Sequence, residues 1–508
     1  MKTIFTSIYI VLFSFYSAIS QNTFEIMFNG SYSNYADVIV TTPEGTSYMI
    51  ESNIAPSTPW PKTVTYYIYR ISPTGDTLRW DYQKEDTLIM YAQLLYDKVS
   101  ESLFIYGIGV KLENGGGSAA GFFEWLVSVS VDFEIKWEKT YNFFPEDYFP
   151  TFYDKFLQLS DSTFLLALYA TNGPGGPGKQ TLGILRFNTL GDSLQYKDFP
   201  WYSSGEVRSF TFSPDSTALW IHLGRYISEK CNSNCDVLEI NSLDSITTYY
   251  YPLQTSGMFY SFGAPFSAKI LPDTTFVAAG MYDKGYGTII SYIGGFKFDS
   301  EFNVLVENLL TEGIGPENIQ TYTASDNCID YVYPDQIYVG GAYYVPPGNF
   351  NSNDSWVYVA KFDQDMNMIW EKYLGGDAFY RTDGMCATYD GGVILTGRRY
   401  DENINSYEYD GFLYKLDGNG YIGISEKSNL KVKSAIVYPN PVSDELFLRT
   451  AIKGAVFYVY NLAGKQVLNI NVQGLITTVN LNYLKPGEYL WSLRTPDKLI
   501  ESGKFIKN

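Results

Sequence analysis

The sequence predicts an all-β protein, a seven-bladed β-propeller followed by a small immunoglobulin-like β-sandwich. Three observations predict it. The 508 residues are 45% hydrophobic and 17% aromatic but only 18% charged, enough apolar matter to fold and the wrong mixture for a coiled coil. A three-part pattern of alternating strands recurs seven times in the same order between residues 22 and 424. Beyond residue 434 the alternation continues in shorter runs bounded by Gly, Pro and Asn turns, as in a small antiparallel sandwich.

Residues 1–20, MKTIFTSIYIVLFSFYSAIS, come first. Lys2 forms a short positive region, Ile8 to Tyr16 an apolar core too short to span a bilayer, and Ala18 and Ser20 a small-residue cleavage site. These predict a secretory signal peptide cut before Gln21. No later stretch offers about 18 uninterrupted apolar residues, so no transmembrane helix is expected in the mature chain. The 36 Lys and Arg against 55 Asp and Glu give a formal charge of −19, which argues against nucleic acid as a partner.

The repeat occupies residues 21–424. One piece is a strand opening on Trp or Phe: FEIMFNG from Phe24, WEKTYNF from Trp137 and WEKYLGG from Trp370. A second is a tight hairpin between two apolar runs, as in LPDTTFVAAG and YDGGVILTG. Its turn markers Glu44, Lys98, Asp161, Asp215, Asp273, Asp335 and Asp390 are spaced by 54 to 63 residues. A third is an alternating strand ending in a polar turn, as in VYVAKFDQDM and GFLYKLDGNG. Seven units of about four strands read as a propeller, in which radial repetition protects the sheet edges. Successive antiparallel strands place short turns on one face and long connections on the other. Long loops on a rigid scaffold tend to carry binding residues. On that face the aromatic, acidic loops 142–151, 198–207, 256–267 and 375–385 offer Tyr148, Phe149, Trp201, Tyr202, Phe259, Tyr260, Phe379 and Tyr380 as ligand-binding candidates. Closure of the ring is open at this level; Tyr421 to Ser425 is one segment that would pair with the N-terminal strand.

Residues 425–434 are polar, without turn or core signals, and form the expected linker. The final block, 435–508, resembles the C-terminal sorting domain (type A) of the type IX secretion system of Bacteroidota. The resemblance rests on Tyr438-Pro439-Asn440-Pro441, then Gly464-Lys465 in a turn, Gly487 and Tyr489, and the closing Gly503-Lys504. It implies passage through the periplasm, recognition by the outer-membrane translocon, removal by a sortase-like peptidase, and a destination outside the cell or on its surface. It says nothing about the function of the cargo.

Motifs for chemistry are sparse. His222 is the only histidine and lies in an alternating strand, with no nucleophile motif to serve. Cys231, Cys235, Cys328 and Cys386 lack zinc spacing. In an oxidising compartment a Cys231–Cys235 disulfide is a reasonable expectation, and a Cys328–Cys386 pair is a second. Ser213 to Trp220 resembles a sialidase Asp box, with Thr217 in place of Gly. Asp363-x-Asp365-x-Asn367 has the opening spacing of a calcium loop but Met368 where Gly belongs. Asn172 to Gly178 lacks the G-K-[ST] of a phosphate loop. No metal or cofactor is therefore expected. The expectation is a secreted or surface-displayed binding protein for a glycan or protein ligand. The alternatives are a structural adhesin and a polysaccharide-acting enzyme, hydrolase or lyase, drawing on carboxylates such as Glu146, Asp147, Asp377 and Asp383.

Overall fold

The computed structural model describes residues 23–508, apart from 30–31, 55–63, 83–86, 113–118, 145–147, 151–154, 160–161, 173–179, 201–204, 228–231, 241–247, 253–257, 260–265, 284–291, 311–319, 346–354, 402–407, 423–431 and 497. The expected signal peptide and most tips of the long-loop face lie outside these residues. All regular structure among them is strand, and no helix is long and apolar enough to cross a membrane.

Strand β1 (Phe24–Phe28) precedes blade 1, which is β2 (Ser33–Thr41), β3 (Ser47–Ile54), β4 (Val64–Ile71) and β5 (Thr77–Trp80). Blade 2 is β6 (Thr87–Asp97), β7 (Ser102–Leu112), β8 (Ala119–Ser130) and β9 (Ile135–Tyr141). Blade 3 divides its inner strand into β10 (Tyr148–Pro150) and β11 (Lys155–Gln158), then adds β12 (Thr163–Asn172), β13 (Gln180–Asn188) and β14 (Ser193–Pro200). Blade 4 is β15 (Gly205–Phe212), β16 (Leu219–Ile227), β17 (Asn232–Ile240) and β18 (Thr248–Pro252). Blade 5 has inner strands β19 (Met258–Phe259) and β20 (Phe266–Ile270), then β21 (Phe276–Asp283), β22 (Tyr292–Phe298) and β23 (Val304–Leu309). Blade 6 has β24 (Gln320–Thr323), β25 (Ile329–Asp330), β26 (Ile337–Val345), β27 (Ser355–Phe362) and the first half of β28 (Met368–Ala387). The second half of β28 opens blade 7 and pairs with β29 (Val393–Tyr400), which pairs with β30 (Asp410–Leu416).

The last strand of blade 7 comes from the other end of the chain: β1 pairs antiparallel with β30, Phe24 opposite Lys415 and Phe28 opposite Gly411. This corrects one detail of the sequence reading: the FEIMFNG piece closes the seventh unit instead of opening the first. Of the other segment considered for closure, Tyr421 to Ser425, residues 423–425 lie outside the described residues. The frame accordingly shifts by one strand: WEKTYNF and WEKYLGG are outer strands. Blades 1 to 5 are separate sheets, blades 6 and 7 are joined through β28, and the ring is completed by side-chain packing. The inner strands β2, β6, β11, β15, β20, β25 and β28 neighbour one another in turn, and β28 neighbours β2. Apolar clusters fill the seams, such as Tyr48, Ile105 and Trp125 between blades 1 and 2, and Phe28, Met49 and Leu413 between blades 7 and 1.

β28 serves two blades because Gly375 and Gly376 lie at its bend with φ of 92° and 82°. A Cβ at Gly376 would sit 2.0 Å from Trp356 Nε1, so the pair that ends WEKYLGG cannot carry side chains. The polar turns cap themselves. Asp363 Oδ1 accepts from the backbone N–H of Asp365 and Asn367 at 2.9 and 2.8 Å, and Asp417 repeats this toward Asn419 and Tyr421. The calcium-like spacing at 363–367 is thus that of a self-capping turn. Asp215 likewise accepts from Thr217 N–H at 3.1 Å in the Asp-box-like hairpin.

β31 (Val432–Lys433) follows the undescribed part of the linker and adds to β28 at the edge of blade 6. The C-terminal domain then packs the sheet of β32 (Ala435–Tyr438), β33 (Glu445–Thr450) and β36 (Ile476–Asn480) against a second sheet. That sheet holds β34 (Val456–Asn461), β35 (Gln466–Asn471), β37 (Gly487–Arg494) and β38 (Leu499–Lys507). Leu446, Phe457, Val479, Trp491 and Phe505 fill the space between them.

Candidate functional site

The inner strands surround a channel along the propeller axis. Every inner strand is interrupted by a bulge or a break, that of blade 5 between β19 and β20. β2 bulges at Asp37-Val38, β6 at Ala92, β15 at Arg208 and β28 at Asp383, while blade 6 breaks between β24 and β25 at Ser325-Asp326. In blade 3 the break between β10 and β11 ends at Lys155. A bulge adds a residue to one strand and re-aims its side chain. Here it exposes one residue per blade to the axis, and blade 5 contributes Phe266.

The result is a chamber of about 280 Å³ lined by Asp37, Arg208, Asp326, Asp383, Lys155 and Gln93 among polar groups, with Tyr66, Tyr91 and Phe266 as its aromatic wall. It narrows at Val38, Gln93, Lys155, Arg208 and Asp326, which also line a funnel of about 640 Å³ continuing toward the short-turn face. Lys269 and Asp330, 3.1 Å apart, stand in that funnel. Burial alone would lower the Lys269 ammonium, but Asp330 holds it above its ordinary value.

Charge in the chamber is arranged in pairs. Lys155 is bonded to Asp326. Asp383 Oδ1 accepts from Arg398 Nη2 at 2.8 Å and from Ser325 Oγ at 3.3 Å. Its other oxygen, Oδ2, is buried with no hydrogen-bond partner among the described residues. Asp37 Oδ2 accepts from Ser52 Oγ at 2.7 Å. Burial, and then the neighbouring Asp383 carboxylate, push the Asp37 carboxyl up to about 7. Burial would lower the Arg398 guanidinium, but Asp383 and Asp37 together raise it; it also lies 4.3 Å over the Tyr35 ring. A chamber lined by carboxyl groups, one of them raised toward 7, a guanidinium and flat rings can bind a ligand through hydroxyl or amine hydrogen bonds and stacking.

The sequence candidates fall in several places. Phe379 and Tyr380 are corrected: both are buried, at 3% and 2% exposure. Phe379 packs with Ala342 and Tyr400, and Tyr380 meets Phe412 edge-on while its hydroxyl donates to Asp377. Neither offers a ring face to a ligand. Trp201, Tyr202 and Tyr260 lie outside the described residues. So do Glu146 and Asp147. Tyr148, Phe149 and Phe259 are in β10 and β19, with side chains outside the description. Cys231 also lies outside it, and Cys235 is opposite Gly224 in the β16–β17 register. Cys328 and Cys386 are buried free thiols, not the second disulfide. His222 is fully buried against Phe266, 5.2 Å between ring centres, as a strand residue.

Asp37, Arg208 and Asp326 were not singled out by sequence. Their signal is a charged residue a similar distance before the hairpin marker, seven residues for Asp37 and Arg208 (before Glu44 and Asp215) and nine for Asp326 (before Asp335).

The sorting landmarks are assembled at one end of the C-terminal domain. Tyr438 ends β32, and cis peptide bonds precede Pro439 and Pro441. Asn440 Oδ1 accepts from Ile506 N–H at 2.8 Å, tying the motif to β38, which carries Gly503 and Lys504. Gly464 (φ 75°) and Lys465 make the β34–β35 turn. Gly487 opens β37, and Tyr489 in that strand stacks on Phe505 at 5.6 Å.

Residues 436–508 match the secretion system C-terminal sorting domain family. The match marks the chain as cargo of the type IX secretion system, exported to the cell surface or the extracellular space. Comparison with curated proteins finds no match. Among solved structures the chain is similar to the polysaccharide lyase Uly1, at 10% identity and a TM-score of 0.42, over 77% of this chain and 91% of that one. It is similar to the propeller domain of the trilobed protease of Pyrococcus furiosus, at 8% and 0.41, over 77% and 97%. It is also similar to PorZ, a type IX surface component of Porphyromonas gingivalis, at 11% and 0.22, over 93% and 81%.

Proposed function

We propose that this exported protein is a binding protein whose propeller takes a hydroxyl-bearing unit of an extracellular ligand, a glycan residue, into the axial chamber. The observation that carries the reading is the chamber's lining, in which Asp37, Asp326, Asp383, Lys155 and Arg208 stand beside the rings of Tyr66, Tyr91 and Phe266. At about 280 Å³ the chamber is at the small end of ligand sites, which run from about 300 to 1,000 Å³. That size suits one sugar ring at a chain end. The candidates Tyr148, Phe149 and Phe259, in the first inner-strand segments β10 and β19, and Trp201, Tyr202 and Tyr260, beside the inner strands in sequence, would hold the rest of the chain.

The test is a glycan array probed with the protein expressed from Gln21, with and without calcium. Binding to a set of glycans sharing one terminal residue supports the reading. A blank array rejects the glycan ligand and turns attention to a protein partner or an adhesive role. A second reading, a polysaccharide-acting enzyme, is favoured by one observation: a carboxyl near pH 7 beside a second carboxylate is matched to proton transfer. Release of reducing ends or unsaturated sugars from a bound glycan, abolished in Asp37→Asn, supports that reading; intact glycan after prolonged incubation rejects it.

A further inference from the structure

We propose that the outer edge of blade 6 is a binding surface for the C-terminal domain as a non-covalent partner, so that the domain stays bound when the chain between them is cut. Three contacts carry this. First, β31 extends blade 6 by one strand, Lys433 opposite Tyr373 and Val432 opposite Leu374. Second, Arg449 of β33 reaches into the blade. Its Nη2 lies 3.0 Å from Glu371 Oε2, with side-chain exposures of 1% and 0%, and its Nε donates to the Tyr373 hydroxyl. Tyr358 OH donates to the same carboxylate oxygen at 3.0 Å. Third, Ile436 and Tyr438 share one apolar cluster with Tyr343, Tyr358 and Tyr373 of the blade, and Lys372 Nζ donates to Ser434 Oγ at 3.0 Å.

The comparison with blade 2 shows what is special. The corresponding Glu138 of WEKTYNF is satisfied from within the propeller, accepting from Trp125 Nε1 at 2.6 Å and Tyr82 OH at 2.9 Å. In blade 6 the equivalent Glu371 takes its cation from the other domain. A buried carboxylate and guanidinium each depend on the other, and removal of either partner leaves an uncompensated charge. Beside this lock lies a cleft of about 610 Å³ lined by Trp356, Tyr438 and Trp491, so the contact is concentrated on the Arg449 side. A pair this deep is shielded from salt, unlike a surface pair.

A site-specific protease sequence inserted between Lys427 and Leu430 of the full chain tests this. After cutting, gel filtration at micromolar concentration in 0.15 M and 1 M NaCl is expected to keep the C-terminal fragment with the propeller in both salts. Departure of the fragment at 0.15 M salt overturns the proposal. Arg449→Met and Glu371→Gln are each expected to weaken retention at least tenfold, and Arg449→Met combined with Glu371→Met to recover most of it. Equal retention in all variants would remove the pair as the lock. Because Arg449→Met also risks misfolding, amide exchange on the uncut wild-type chain is the second measurement. Residues 432–438 are expected to be protected like β27 and β28. Free exchange there, with blade 6 protected, also overturns the proposal.

Discussion

At the scale of single residues, the chain places several polar groups where burial controls them. Both ring nitrogens of His222 are buried without partners, and burial pushes its imidazole down to about 3. The unfolded chain takes up a proton below pH 6.5 that the folded chain refuses, so this residue lowers stability as pH falls from about 6.5 toward 3. His222→Leu is expected to gain up to about 2 kcal/mol relative to the native protein between pH 7 and pH 5, read by urea denaturation at each pH. Asp37 has the opposite linkage. Its folded carboxyl titrates near 7 and its unfolded one near 4, so the folded state holds an extra proton between them. Stability contributed by this group is present below about pH 4 and is lost as pH rises through 7. Asp37→Asn is expected to flatten that part of the profile; a parallel curve would contradict the assignment. Glu124, raised by burial to a similar value, titrates in both proteins and cancels in the difference. His222 was legible in the sequence because alternation places it in a strand. Of the axial aspartates the sequence offered only Asp383, among its candidate carboxylates; Asp37 and Asp326 were not legible, because a bulge or break interrupts the alternation by which a strand's faces are read.

At the scale of elements, the strand content, the seven-fold repeat and the polar turns were all legible, since each depends on local spacing. Two things depended on distant contacts and were not. Nothing near β1 says that its partner is β30, almost the whole propeller away in sequence. Likewise, Phe379 and Tyr380 read as loop aromatics after a Gly-Gly pair, yet β28 continues through its bend and buries both. Closure by β1 predicts a strong effect of its loss. Phe28 is buried at 7% exposure with its ring 4.9 Å from Tyr69, and Phe24 and Ile26 pack on the same seam. Phe28→Ala is expected to cost about 3–5 kcal/mol, and removal of residues 23–28 more than that. Denaturation of the shortened chain with an unchanged midpoint would show that the ring does not depend on this strand.

At the scale of the whole molecule, export and the proposed binding are assigned to different parts. The C-terminal domain supplies the address, legible because its landmarks are short and contiguous. The propeller supplies a scaffold that gathers one residue from each of several blades at a common axis. That gathering was legible only as a face, since residues from Asp37 to Asp383 meet solely through closure of the ring. The central claim is that the axial chamber is the ligand site. Ala92 lines it from the edge of a buried cluster with Phe104 and Leu166, so Ala92→Phe would add bulk there without altering its charge. The direct measurement is calorimetric titration of an array-identified glycan into the native protein and into Ala92→Phe, with melting curves of both. The expected result is at least a tenfold loss of affinity in a variant that still melts cooperatively, with a melting temperature lowered by the added bulk at a buried site. Equal affinity in the two proteins would place the ligand elsewhere and contradict the account.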